Sequence, residues 1–318
     1  MINRSYISQE DRRCFLKTSA ASLLACTAVQ AAPEPRDTMT LGFSTYGARG
    51  IPTEHILPVL SVTGYDAVEL TATQGFDAAP ENMSAARRRQ IRRILYDTEL
   101  VLTSLMEHTV PSMEVKVNKE NAARITRAAE MMRDLTENSS GVIQTVLGGG
   151  DWEAKKNLFV DQVGSWVEIA NEHEVVFCIK PHRGGGMATP EQALWIMKQL
   201  GDPQRLRMVY DFSHYIYTGL ELVPTIHQAA SKTAHIAVKD TIRNPSGGFQ
   251  FKLPGSTGVI DFATLIKTMY QKGYRGDISC EVSSMLWRQA NYDPRVALRT
   301  CYQNMSQAFK KSGVQRPV

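Results

Sequence analysis

Carboxylates, imidazoles and ammonium groups recur in this chain at the ends of short apolar runs. Glu69 lies within Ala67–Thr71, Glu107-His108 follows Val101–Met106, and Lys180-Pro181-His182 follows Val175–Ile179. Asp211-Phe212-Ser213-His214 follows Arg207–Tyr210, His235 and Lys239-Asp240 flank Ile236–Val238, and Glu281 lies near the end of Asp277–Val282. Gathered at one place, such groups transfer protons or hold a divalent cation, and an ammonium among them stabilises a developing negative charge. Any one of them alone is more simply a salt bridge or a hydrogen-bonded histidine. The chemistry follows only if one rim collects them, because successive strands seldom all end in titratable groups by accident.

The elements that would have to collect them are legible. Eight strand-like runs, Thr40–Tyr46, Ala67–Thr71, Val101–Met106, Val142–Leu147, Val175–Ile179, Arg207–Tyr210, His235–Val238 and Asp277–Val282, are short. Most are rich in Val, Ile and Leu, as in parallel strands buried on both faces. Helical patterns lie between them. Asn118 is placed as the cap of a helix with Ile125, Ala128, Ala129, Met132 and Leu135 on one face. Asp151, Asp261 and Asp293 precede others, and Thr189-Pro190-Glu191-Gln192 has the form of a capping box. Eight strand–helix alternations predict an α/β fold, a single (β/α)8 TIM barrel over residues 39–314. A doubly wound open sheet is the alternative, but no Gly-x-Gly-x-x-Gly follows the first strand. In a (β/α)8 barrel the chemistry sits where the strands end.

The 318 residues, 43% apolar, suffice for one barrel of about 250 residues and an N-terminal extension. In that extension Arg12-Arg13-Cys14-Phe15-Leu16-Lys17 precedes an uncharged, alanine-rich stretch, which resembles a twin-arginine export signal over residues 1–31, with a linker at 32–38. Leu23-Leu24-Ala25-Cys26 also resembles a lipoprotein box, so a membrane enters only through a lipidated Cys26. The expected location is outside the cytoplasm. The net charge of +4 is diffuse, and the one basic run, Arg87 to Arg93, reads as a solvated helix face. No nucleic-acid partner is expected. Cys178, Cys280 and Cys301 lack metal spacing and read as free thiols, the first and second within apolar runs.

Several segments resemble the xylose-isomerase-like sugar isomerase/epimerase family across about residues 40 to 310. Asp211-x-x-His214 is similar to its strand-six signature, and Gly64-Tyr65-Asp66-Ala67-Val68-Glu69-Leu70 to its strand-two segment. Leu253-Pro254-Gly255-Ser256-Thr257-Gly258-Val259-Ile260-Asp261-Phe262 resembles its loop before a helix, Val238-Lys239-Asp240 its His-x-Lys-Asp strand, and Glu281 its strand-eight glutamate. The resemblance implies a divalent cation (Mn, Mg, Co or Zn) held by Glu, Asp, His and Glu, polarising the carbonyl of an open-chain sugar while glutamates move a proton.

Two positions depart from that pattern. Lys180 stands at the strand-five glutamate, and Ala237 at the strand-seven histidine; His235 lies a further two residues back, about 7 Å away by strand rise. Three readings follow. Lys180 replaces the metal, among Asp211 and Glu281, or acts as a Schiff-base lysine; a metal still binds through Asp211, Glu281 and some of His182, His214 and His235; or the site is catalytically dead and binds a sugar. The expected assignment makes Lys180, Glu281 and His214 catalytic. Glu69, His108, His182, Lys239, Trp287 and Arg288 are placed as substrate-binding, and Asp211 and Glu281 as the remaining metal ligands. Trp287 suits a sugar ring and Arg288 an anionic group, while Arg183-Gly184-Gly185-Gly186 is read as a turn, an anion nest or a lid. The expected partner is a small carbohydrate, and the expected reaction is isomerisation or epimerisation. A 3-keto-glycoside lyase and a non-catalytic sugar-binding barrel are the alternatives. An endonuclease of the related abasic-site family is disfavoured, because its multi-metal cluster asks for more than seven scattered histidines.

Overall fold

Val-, Ile- and Leu-rich runs become strands here because both of their faces are covered, one by the barrel interior and one by helices. The computed structural model describes residues 37–136 and 141–317. The segment read as an export signal and most of the expected linker, with Cys14 and Cys26, lie outside the described residues. The strands are β1 (Thr40–Ser44), β2 (Ala67–Thr71), β3 (Val101–Met106), β4 (Val142–Thr145), β5 (Val176–Ile179), β6 (Leu206–Tyr210), β7 (Thr233–Val238) and β10 (Asp277–Cys280). They close a parallel barrel in the order β1-β10-β7-β6-β5-β4-β3-β2. Helices α1 (Thr53–Thr63), α2 (Ala85–Asp97), α3 (Val115–Thr136), α4 (Trp152–Glu172), α5 (Pro190–Gln199), α6 (Leu222–Ala229), α7 (Phe262–Gln271) and α9 (Pro294–Ser312) follow the strands in turn. The single (β/α)8 barrel read from the sequence is therefore the fold.

Helix starts follow local chemistry. Asp151 accepts from Ala154 N–H, Asp261 from Thr264 N–H and Asp293 from Arg295 N–H, and Thr189 with Gln192 forms a complete capping box. Each such cap is worth about 1 kcal/mol. Asn118 is a correction: α3 already begins at Val115, and the Asn118 amide instead bonds both backbone groups of Ser112. The hydrogen bonds of the preceding turn outcompete a cap at that position. The apolar face read for α3 is buried, as are Phe159, Val163, Trp166 and Val167 on α4. Of the basic run, Arg87 ties Glu54 to Asp77, and Arg88 pairs with Asp134. Cys178, Cys280 and Cys301 are free and buried. No described helix is long and apolar enough to cross a membrane.

Two insertions shape the mouth of the barrel. Between β7 and α7 the chain makes an antiparallel hairpin, β8 (Asp240–Arg243) with β9 (Phe249–Lys252), where the sequence predicts no element. After β10 a short helix, α8 (Ser284–Trp287), forms. The interior below the mouth is unusually polar. His235 Nε2 lies 3.2 Å from Glu69, which also accepts from Gln144, while Asp277 accepts from Thr40 and Thr103. Burial opposes both charges of the first pair, yet each partner outweighs it, lowering the Glu69 pKa and raising that of His235. Val142, Cys178, Val209 and Ala237 form a separate buried apolar cluster, with Ala237 set between His235 and Lys239 on β7.

Gly64 ends α1 at φ 103°, and a Cβ there would lie 2.4 Å from the Tyr302 hydroxyl. Gly64→Ala is expected to lower stability by about 1–3 kcal/mol, since left-handed strain adds to the clash. A urea titration with an unchanged midpoint would show that Tyr302 moves aside freely.

Candidate active site

The last inward-facing residues of four neighbouring strands meet at the carboxyl end of the barrel. Lys180 follows β5, Asp211 follows β6, Lys239 follows β7 and Glu281 follows β10. Lys180 Nζ lies 2.5 Å from Glu281 Oε2 and 3.0 Å from Asp211 Oδ2; Lys239 Nζ lies 2.5 Å from Asp211 Oδ2 and 2.6 Å from Glu281 Oε1. Two ammoniums thus alternate with two carboxylates. All four are buried, from 0% exposed at Asp211 to 7% at Glu281.

Burial alone would neutralise Lys180, Asp211 and Glu281, but their neighbours keep them charged. Glu281 and Asp211 outweigh burial and hold the Lys180 ammonium above the ordinary lysine range. Against the same penalty, Lys239 and Lys180 pull the Asp211 carboxyl down to about 2, and they lower Glu281 as well. Asp211 Oδ1 is further held by the Ser213 amide and hydroxyl, at 3.2 and 2.6 Å.

The histidines divide into front and back. His182 lines a cavity of about 310 Å³ with Lys180, Lys239 and Glu281. Its Nδ1 lies 2.8 Å from the Arg183 carbonyl, which assigns the proton to Nδ1 and leaves the Nε2 lone pair free. Burial, then Lys180 and Lys239, push its pKa down to about 4, so the ring is neutral. His214 packs behind it at a tilt of 41°, ring centres 4.0 Å apart, and is fully buried. Its Nδ1 accepts from Arg183 N–H, and its Nε2, 3.4 Å from Asp211, makes no good hydrogen bond. Burial, reinforced by Lys239, holds His214 neutral too. His108 also lines the cavity, with its pKa lowered by burial.

The residues singled out from the sequence are thus only partly brought together. Lys180, Glu281, Lys239, His182 and His108 line one cavity, and Asp211 and His214 lie directly behind it. Glu69 pairs with His235 inside the barrel. Trp287 and Arg288 stand one step back: the indole meets Tyr46 edge-on at 5.4 Å, and Arg288 stacks on that indole. Glu107 is engaged by Arg124. The aromatic side chains lining the cavity are Tyr46, Phe249 and Phe251. Tyr46 closes the first apolar run, a signal already in the sequence. Phe249 and Phe251 come from the hairpin, and only the length of the segment between β7 and α7 hinted at them.

A (β/α)8 barrel with its polar cluster at the carboxyl ends of the strands is a shared architecture with many chemistries. The chain belongs to the xylose isomerase-like TIM barrel family, whose sequence profile matches residues 58–301. It is 24% identical over 159 residues to an inosose dehydratase of Geobacillus thermodenitrificans, covering 46% of this chain and 50% of that one. The chain therefore spans about half the length of that curated relative. In fold it is similar to the IOLI protein with a bound zinc atom (TM-score 0.72, 18% identity, 86% of this chain and 99% of that one). It is also similar to the 3-keto-D-glucoside 4-epimerase of E. coli (TM-score 0.66, 14% identity, 86% and 99%). At these identities the structures show the fold alone.

The donor set here does not suit the dication that the family pattern implies. A cation between Asp211 and Glu281 would sit beside two ammoniums that already occupy their oxygens. The family's other two ligand positions hold Lys180 and Ala237. Among the described residues, no group of three or more His, Cys, Asp or Glu side chains is placed to hold a metal ion.

Proposed function

We propose that the protein removes a proton from the carbon beside the carbonyl of a small keto-sugar and returns one to the former carbonyl carbon, as an isomerase, or to the opposite face of the same carbon, as an epimerase. The observation that carries this reading is the ammonium pair. Each lysine has three N–H donors and meets two carboxylate oxygens, leaving one donor for the cavity. Two donors fixed on buried side chains stabilise an enediolate oxygen as it gains charge. His182, neutral and with a free Nε2, is the base. A base with a pKa of about 4 is weak, so the lysines must first acidify the C–H bond. Glu281 and Asp211 hold Lys180 charged and both lysines in place. A cavity of about 310 Å³ is at the small end of ligand sites, which run to about 1,000 Å³, and suits one sugar ring.

The same intermediate can expel a group beside the carbonyl instead. The similarity to an inosose dehydratase supports this second reading, a keto-glycoside lyase. Incubation with ketoses, 3-keto-glycosides and free sugars in deuterated water tests both. Deuterium on the carbon beside the carbonyl supports the first, and release of the aglycone supports the second. Binding of a sugar without exchange or cleavage would leave a non-catalytic binding barrel.

Exchange is expected to fall as pH drops through about 4, where His182 gains a proton. It is expected to stay level through mildly alkaline pH, because Lys180 remains charged above the ordinary lysine value. Stability should follow the same sign. A histidine held neutral binds fewer protons folded than unfolded, so its contribution is full above about pH 6.5 and is lost towards pH 4. A rate profile centred near pH 6.5 would assign the base elsewhere.

Export is part of the same proposal and rests on Arg12-Arg13 and the uncharged stretch after Lys17. Replacing both arginines by lysine is expected to retain the protein in the cytoplasmic fraction. Unchanged fractionation would remove the twin-arginine reading.

A further inference from the structure

Beside the lysine cavity lies a second one of about 300 Å³, and Arg183 and Phe249 line both. Arg183, from the glycine loop after β5, and Arg243, at the end of β8, both lie over one ring. Their guanidinium carbons are 5.3 and 4.8 Å from the centre of Tyr217. Arg183 also stacks on Phe249 at 3.7 Å. Contact with these aromatic rings holds both guanidiniums in place, and Arg243 is exposed. Neither guanidinium has a carboxylate within ion-pair distance among the described residues. Arg183 donates from Nη2 to the Ser213 carbonyl, but its buried Nε has no acceptor. Two cations against one ring, neither in an ion pair, make this a place that favours an anion, and a planar guanidinium with a free N–H group matches the oxygens of a carboxylate or phosphate.

We infer that Arg183 and Arg243 form an oxyanion subsite, and that the keto-sugar handled in the neighbouring cavity carries a carboxylate or phosphate group. The sugar part of this inference rests on the proposed function; the anion site rests on the arginines alone. The two cavities are neighbours that share Arg183 and Phe249 as lining, so a ligand extending past these side chains would set its ring against the lysines and its anionic end against the arginines.

Calorimetric titration of D-glucuronate, D-glucose 6-phosphate and D-glucose into the wild type and Arg243→Gln tests it. Arg243 is exposed on the hairpin, so the variant keeps the fold. At least one charged sugar is expected to bind about tenfold or more tightly than glucose, and to lose about that factor in the variant and in high salt. Which charged sugar wins distinguishes carboxylate from phosphate. Equal affinity for all three sugars, no binding by any, or an unaffected variant overturns the inference. Charged sugars that bind while no keto-sugar exchanges deuterium would retire the proton-transfer reading and keep the anion site. Exchange of neutral keto-sugars at rates that Arg243→Gln leaves unchanged, with no anion binding, would do the reverse.

Discussion

Lys180→Met is expected to lower kcat for deuterium exchange by on the order of 10²–10³-fold, with a much smaller effect on KM. The reason is charge. In the wild type two ammoniums face two carboxylates, and this cluster of four is neutral. Without Lys180 one carboxylate is left uncompensated beside the place where the enediolate forms. The variant loses a donor to the developing oxyanion and gains a repulsion against it. Both effects grow as charge develops, so they act on the transition state more than on the bound sugar. The same change removes one partner from a buried ionic cluster, which typically costs about 3–5 kcal/mol. Loss of activity by unfolding must therefore be separated. Lys180→Arg keeps the charge and the pairing with Asp211 and Glu281 but presents a planar fork instead of a compact ammonium. It is expected to fold and still to lose most of the exchange rate. Full exchange in a folded Lys180→Met protein would end the case for an ammonium electrophile.

The fold was legible because each local signal agreed with the global one. The barrel strands coincide with the apolar runs to within a residue or two, and four of the five helix starts named from the sequence are caps. Asn118 failed because a cap and a tie to the preceding turn use the same side chain, and spacing does not distinguish them. The hairpin was invisible for a different reason. Phe249–Lys252 is four residues long, sits behind a Ser-Gly-Gly turn, and packs against the mouth rather than into the core.

The site was legible at the level of which strand ends matter and less so at the level of depth. Alternation along a strand gives the face a side chain occupies but not its depth, and four residues separate Lys239 at the mouth from His235 in the interior. His235 and Lys239 share a face of β7, yet one neutralises Glu69 below while the other completes the tetrad above. Lys239 was read as a substrate-binding group, and its place at the centre depends on a long flexible stem that no spacing rule follows. Likewise Asp-x-x-His places His214 at the rim without showing that His182, on the next strand end, stands in front of it. Trp287 was read as the sugar platform from its type; three residues beyond Ser284, it backs Tyr46 instead.

Lys180→Glu is expected to convert the site into one that takes up a divalent cation, rising from well below one ion per chain to about one in the purified protein. The argument is electrostatic balance. In the family pattern three carboxylates, a histidine, a dication and the lysine of the His-x-Lys-Asp strand sum to zero charge. Here two carboxylates and two lysines reach the same zero without the dication. Exchanging the Lys180 ammonium for a carboxylate moves the site by two negative charges, which is the charge a dication restores. It also frees Asp211 and Glu281 from one of the ammoniums that now hold them. Lys239 stays and Ala237 supplies no imidazole, so the affinity should be modest, and Ala237→His added to Lys180→Glu should raise it further. Elemental analysis after dialysis against Mn or Zn reads this without reference to activity. Stoichiometric metal in the wild type would mean that the lysines yield to a cation, and equal, negligible metal in the wild type and both variants would mean that charge balance is not what keeps it out.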